Sequence, residues 1–187
     1  MASDTKKKKA VSFTTAVGTA KYPWLNKPDF EYNAEGEWKC QLIMSPKDAK
    51  SVTDAVQAVI KSEFGDDTKN VRIPWTNEEN GDVVFKCTTK FQPRFYQSDG
   101  EVIPEKAVPQ LWGGSKLRLG GEISPYNKGK NSRGISLRFN RVQVIEPVGG
   151  DNASDGIGFD AVEDGWVNDM SEVGFDHEDE ISEGARF

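Results

Sequence analysis

Between Lys116 and Arg141 the chain places seven Lys/Arg residues and one acid, Glu122, around a tyrosine, Tyr126. Ammonium and guanidinium groups pair with phosphates, and an aromatic ring offers a flat face to a base. This mixture suits a single-stranded nucleic acid, which exposes both. Leu117 and Leu119 alternate with Lys116 and Arg118 on the way in, and Ile135, Leu137 and Phe139 alternate with Ser136, Arg138 and Asn140 on the way out. A period of two predicts two strands, each with one face to a core and one to solvent or ligand. The loop expected between them, Ser124 to Gly134, carries Lys128, Lys130 and Arg133.

The same mixture recurs upstream. Val83 to Arg94 alternates, with Val83, Phe85, Cys87 and Phe91 expected inward and Lys86, Thr88, Lys90, Gln92 and Arg94 outward, before Phe95 and Tyr96. Other chemistries find little support. Cys40 and Cys87 form no CxxC pair and have no histidine neighbour, so buried free thiols are expected rather than a metal site or disulfide. His177, the one histidine, lies in an acidic segment, which leaves no Ser-His or Cys-His nucleophile to assemble. No phosphate-cradling Gly-Lys-Ser/Thr loop or paired-acid set is present, so neither an enzyme nor a cofactor is expected.

The elements that must position these residues can be read in order. Val11 to Ala20 is β-prone. Ala20 to Phe30 is expected to be a loop, because Pro23 and Pro28 cannot donate to a ladder; Tyr22, Trp24 and Phe30 within it suit packing or stacking. Glu37 to Met44 alternates, with Trp38, Cys40, Leu42 and Met44 on one side. Ser45-Pro46-Lys47-Asp48 is a helix start, with a serine cap, proline in the first turn and an acid facing free amides. Val52, Ala55, Val56, Val59, Ile60 and Phe64 continue it as a core-facing stripe, and Gly65 stops it. Val71, Ile73 and Trp75 are expected to form a short strand. Val102 to Trp112, with Pro104 and Pro109, should be irregular or edge structure.

Charge is segregated along the chain. Residues 151–187 hold 12 Asp/Glu and one Arg, leaving 23 basic and 18 acidic residues in 1–150. A basic body with an acidic tail is therefore hidden behind a net charge of −6. The expected organisation is a flexible basic arm over 1–10, a folded nucleic-acid-binding domain over 11–148, and a disordered acidic tail over 149–187. Trp166, Phe175 and Phe187 in that tail are candidate anchors for a partner protein. No apolar run approaches a membrane span, and none follows the N-terminal lysines as a signal peptide would require.

Several short motifs resemble a known family in the same order: Ala16-Val17-Gly18-Thr19-Ala20, Lys27-Pro28-Asp29, Val84-Phe85-Lys86-Cys87, Gly113-Gly114-Ser115-Lys116-Leu117-Arg118, Pro125-Tyr126, and an acidic tail ending in phenylalanine. Together they resemble the single-stranded DNA-binding proteins of T7-like bacteriophages. The resemblance implies a mainly β fold, a five-stranded OB barrel with one inserted helix. It also implies a homodimer in the host cytoplasm, whose tail contacts the phage DNA polymerase and helicase-primase. The family has a tryptophan just after the tyrosine matched by Tyr126, where this chain has Asn127 and Lys128. Residues and resemblance together predict a groove lined by Lys86, Lys90, Arg94, Lys116, Arg118, Lys128, Lys130 and Arg133, with Tyr96, Trp112 and Tyr126 as stacking candidates. An RNA-binding OB protein, or an adaptor or DNA mimic acting through the tail, fits the same charges.

Overall fold

The computed structural model describes residues 9–148. Residues 1–8 of the expected arm over 1–10 and the acidic tail over 149–187, with Trp166, Phe175 and Phe187, lie outside the described residues. In chain order the elements are β1 (Val11–Thr14), β2 (Gly18–Asp29), β3 (Glu37–Met44), α1 (Pro46–Phe64), β4 (Val71–Arg72), β5 (Trp75–Asn77), β6 (Val83–Thr89), β7 (Arg94–Tyr96), β8 (Val102–Ile103), a 3₁₀ turn (Glu105–Ala107), β9 (Lys116–Asn127) and β10 (Arg133–Glu146).

Five of these strands close on themselves in the order β2-β3-β6-β10-β9 and back to β2. The β6–β10 contact is parallel and the rest are antiparallel. Ranked by position in the chain, that is the 1-2-3-5-4-1 ring of an OB barrel. The helix stands between the second and third barrel strands. The other five strands are short additions: β1 on β9, β4 and β7 on β10, β5 on β6, and β8 on β7.

The alternation expected in β3 is present, with Trp38, Cys40, Leu42 and Met44 buried and Lys39, Gln41 and Ile43 on the outer side. Leu117, Leu119, Ile135, Leu137 and Phe139 complete the barrel interior from β9 and β10. In α1 the Ser45 hydroxyl accepts from the Asp48 amide at 3.2 Å, and the Gly65 amide donates to the Lys61 carbonyl at 3.0 Å. Its stripe of Ala49, Val52, Val56, Val59 and Ile60 is buried, and the helix packs against β9, β1, β10 and β3. Cys40 and Cys87 face each other across β3 and β6 as buried free thiols. Burial pushes the Cys40 thiol up to about 12 and holds Cys87 high as well.

Three expectations change. The Ala20–Phe30 loop is largely strand: β2 runs to Asp29, and its prolines sit where the ladder is interrupted. Register passes from Lys21↔Gln41 to Trp24↔Lys39, so the extra residue is accommodated at Tyr22-Pro23 as a bulge, and Tyr22 takes φ +48°. Phe91 is not an inward strand residue. β6 ends at Thr89, whose hydroxyl accepts from the Phe91 amide at 3.3 Å, and Pro93 follows. The chain turns, and the Phe91 ring is 81 % exposed. Finally, β9 and β10 extend further into the expected Ser124–Gly134 loop, so the turn itself is confined to residues 128–132.

Gly121 makes the β9–β10 crossing possible. A Cβ there would lie 2.0 Å from the Arg138 carbonyl oxygen, and the ladder slips by one residue immediately beyond it, between Phe139 and Arg141.

Candidate nucleic-acid interface

Residues paired directly across a ladder point to the same side of the sheet, so register alone assembles an outer surface. One row runs Trp24–Lys39–Thr88–Arg138 across β2, β3, β6 and β10. The next, two residues away, is Lys21–Gln41–Lys86. A third is Lys116–Thr19–Ile43, where the Lys116 ammonium donates to the Thr19 hydroxyl at 2.7 Å. Strand spacing puts successive rows about 7 Å apart, a pitch on the scale of the nucleotide repeat in an extended strand.

Loops place rings at the margins of this face. Tyr22 stands out at the β2 bulge, and Phe30 and Tyr32 come from the β2–β3 loop. Gly36 closes that loop at φ +78° directly under Phe30, where a Cβ would meet the ring at 2.8 Å. Phe91 follows β6, and Lys90 before it reaches Glu35 of the same loop at 3.6 Å. Beside Trp24 a cleft of about 810 Å³ separates the later part of β2 from residues 110–112, with Trp112 on its far wall. The Asn26 amide fixes that wall, donating to the Pro109 carbonyl and accepting from the Leu111 amide, both at 2.8 Å.

Lysines sit close to these rings. The Lys39 ammonium is 5.2 Å from the Tyr32 centroid, Lys21 is 5.7 Å from Tyr22, and Lys27 is 5.8 Å from Trp24. Two of the three are also paired with acids. Lys39 meets Asp29 at 2.7 Å and Glu37 at 3.8 Å, and Lys21 meets Glu78 at 2.9 Å. The Lys39 hydrogen bond, with a second from the Glu31 amide, holds the Asp29 carboxyl below its ordinary range. Its counterpart raises Lys39, and Glu78 raises Lys21.

The residues singled out in the sequence fall into three groups, not one groove. Lys86, Lys90 and Lys116 belong to the face just described, with Trp112 at its edge. Arg94, Tyr96 and Arg118 lie together on the β7–β10–β9 surface, with Arg141 among them. Tyr126, Lys128 and Lys130 belong to the β9–β10 turn region, where the Tyr126 hydroxyl lies against Gly134. Arg133 leaves the surface altogether. It is 8 % exposed, its guanidinium pairs with Asp67 at 2.9 Å and donates to the Lys69 carbonyl, and it stacks over Phe64. Its role is to tie the loop after α1 to the start of β10.

The groove expected from the sequence does not include Tyr32, Lys39, Arg138 or Arg141, and its alternation assigns Phe91 to the core. Lys39 and Arg138 carried a usable signal, since each alternates with core residues on its strand. Tyr32 and Phe91 carried none, because both owe their exposure to loop geometry.

No family model and no curated protein matches the chain by sequence. Solved structures do match by fold. Gp2.5, a single-stranded DNA-binding protein encoded by bacteriophage T7, aligns with TM-score 0.60 at 20% identity over 81% of this chain and 98% of its own. The single-stranded DNA-binding protein of bacteriophage Enc34, solved as a C-terminal truncation, gives 0.59 at 14% over 73% of this chain and 86% of its own. The same Enc34 protein in complex with single-stranded DNA gives 0.57 at 15% over 74% and 89%. The OB barrel of this chain is thus the fold that these bacteriophage DNA-binding proteins share.

Proposed function

We propose that the protein binds single-stranded DNA without regard to sequence, coating and protecting it during phage DNA replication and recombination in the host cytoplasm. The observation that carries this reading is the Trp24–Lys39–Thr88–Arg138 row, bordered by exposed rings of Tyr22, Phe30, Tyr32, Phe91 and Trp112. Rings that stand clear of a barrel wall stack any base, and cations between them meet the phosphates without reading sequence. Fold neighbours named as single-stranded DNA-binding proteins, one of them solved with its strand, support the choice of ligand.

The acidic residues of 151–187 act on the same face in this reading. Eleven net negative charges tethered to a basic body compete for the cations at high effective concentration. When DNA displaces them, the tail is released to recruit the phage polymerase and helicase-primase, with Trp166, Phe175 and Phe187 as anchors, from a homodimer.

Fluorescence anisotropy tests this with labelled single-stranded DNA, duplex DNA and RNA of equal length, for the full chain and for residues 1–150, across salt. The expected result is preferential binding of single-stranded DNA that weakens with salt and tightens when the tail is removed. A preference for RNA would reassign the ligand. No binding by either form would end the reading and leave a tail-borne adaptor.

A further inference from the structure

Three residues along β10 from Arg138, the barrel carries a second cationic surface with a different construction. Arg94, Arg141 and Gly120 are aligned across β7, β10 and β9, with Thr14 of β1 next in line. The neighbouring row is Tyr96–Gln143–Arg118. Between the rows lies a pocket of about 260 Å³.

Arg118 is held in place. Its Nε donates to the Thr15 carbonyl at 3.1 Å and its Nη1 to the Gln143 side-chain oxygen at 3.2 Å. Gln143 is itself fixed, because its amide nitrogen donates to the Gln97 and Ser98 carbonyls at 3.2 and 3.0 Å. Arg141 lies across Gly120, where a Cβ would sit 3.5 Å from its Nε and Nη2. The missing side chain leaves the pocket floor open beside the guanidinium. Among the described residues, Arg94, Arg118 and Arg141 have no carboxylate within 4.0 Å. Asp99, on the adjoining turn, accepts from the Glu101 amide at 3.0 Å.

Two guanidiniums lining one pocket repel each other unless an anion lies between them. Their planar forks match phosphate oxygens. The half-buried Tyr96 supplies a wall for a sugar or base, and the volume suits one nucleotide rather than a run of them.

We propose that this pocket is a phosphate site, distinct from the stacking face, which takes the phosphate and sugar of one nucleotide between Arg118 and Arg141. The inference rests on the single-stranded DNA reading for the source of the phosphate, not for its chemistry. That source is either an internal phosphodiester of a bound strand or a terminal phosphate monoester.

The test uses the full chain. Inorganic phosphate and thymidine monophosphate are titrated while NMR follows the Gly120 amide and the Arg118 Nε–H, in wild type, Arg141→Gln and the exposed-helix control Lys47→Gln. Both resonances should shift in wild type and Lys47→Gln and stay still in Arg141→Gln. Anisotropy with oligothymidylate bearing a 5′-phosphate or a 5′-hydroxyl then separates the sources. An internal source lowers the log–log salt slope of Arg141→Gln by about 0.7 on both oligonucleotides, the value for one single-strand phosphate contact. A terminal source removes only the preference for the phosphorylated oligonucleotide. Phosphate shifts in a wild type that ignores DNA would uphold the pocket and end the DNA reading. No shift with phosphate overturns the proposal, and so does a shift seen only with a peptide of residues 170–187, which would make the pocket a seat for the acidic segment.

Discussion

On the β2–β3–β6 face, Lys21 and Lys39 each lie over a ring and also pair with a carboxylate, and Lys90 reaches Glu35. Among the described residues, Arg118 and Arg141 have one ring beside them, Tyr96, and no acid partner. The contrast sets what each surface can gain from a nucleic acid. At Lys21, Lys39 and Lys90 a phosphate must displace Glu78, Asp29 or Glu35, so the exchange of one anion for another yields little there. Among the described residues, Lys86, Lys116 and Arg138 are the cations of that face with no acid partner. Affinity on that face should rest more on rings than in the arginine pocket, with a shallower response to salt. A phosphate entering the arginine pocket displaces no carboxylate of the described residues, so its contribution is Coulombic and falls as salt rises.

The sharpest way to break the comparison is to disturb what the two surfaces share. Gly121 lies beneath Arg138, on the stacking face, and immediately before the register slip that presents Arg141 to the pocket. Gly121→Ala drives a methyl group into the Arg138 carbonyl, and neither side of that contact is a flexible side chain. The expected loss is about 3 kcal/mol of stability, at the upper end of overpacking. Thermal unfolding should show it as a lower Tm, and both sets of contacts should weaken together. Unchanged stability would mean that β9 and β10 can part there without harm.

Next in size is ring removal. Tyr32→Ala and Phe91→Ala each delete a side chain that is 81 % exposed, so the fold should be unaffected. If each ring stacks a base, each loss should cost about 1–3 kcal/mol of single-strand affinity. The salt slope should not move, because no cation is lost. Titration of tryptophan fluorescence over a salt series reads both quantities. A ring variant that altered the slope and left affinity intact would reverse the assignment of roles.

Acid separates the surfaces through stability. The Asp29 carboxyl is held low by Lys39 and the Glu31 amide, and Asp67 is held low by Arg133. A carboxyl lowered in the folded state stabilises above its unfolded value, about 3.9, and that stability is lost as pH falls through the lower folded value. Unfolding followed from pH 6 downward should therefore show a decline beginning near pH 4. Asp29→Asn should remove part of that pH dependence, and a curve identical to wild type would show that the Lys39 pair contributes nothing to it.

Much of the barrel was legible because its signals are local. The β3 alternation, the caps of α1 and the β9–β10 pattern each depend on residues close in sequence. The site was less legible because its geometry is made by register. Arg94, Arg118 and Arg141 lie far apart in sequence and meet only because β7 and β9 both pair with β10. Arg133 has the same composition-level signature as Lys128 and Lys130, yet Asp67 and Phe64 draw it inward. Phe91 fitted an inward alternation that the turn at Thr89 ended two residues earlier.

The smallest effect tests whether the acids on the stacking face hold binding back. Glu35 and Lys90 are both well exposed and 3.6 Å apart, so the pair itself contributes little to stability. Glu35→Gln leaves the loop's shape and volume nearly unchanged and releases the Lys90 ammonium for a phosphate. Single-strand affinity should rise about two- to threefold at low salt, in keeping with a surface pair worth under about 1 kcal/mol. The salt slope should steepen at the same time, because a cation formerly balanced by an acid now meets the strand. The stacking face would then have moved one step toward the behaviour expected of the arginine pocket, through a single carboxylate and with every ring in place. If affinity does not rise and the slope stays flat, Lys90 lies off the path of the strand, and the stacking face ends at Tyr32.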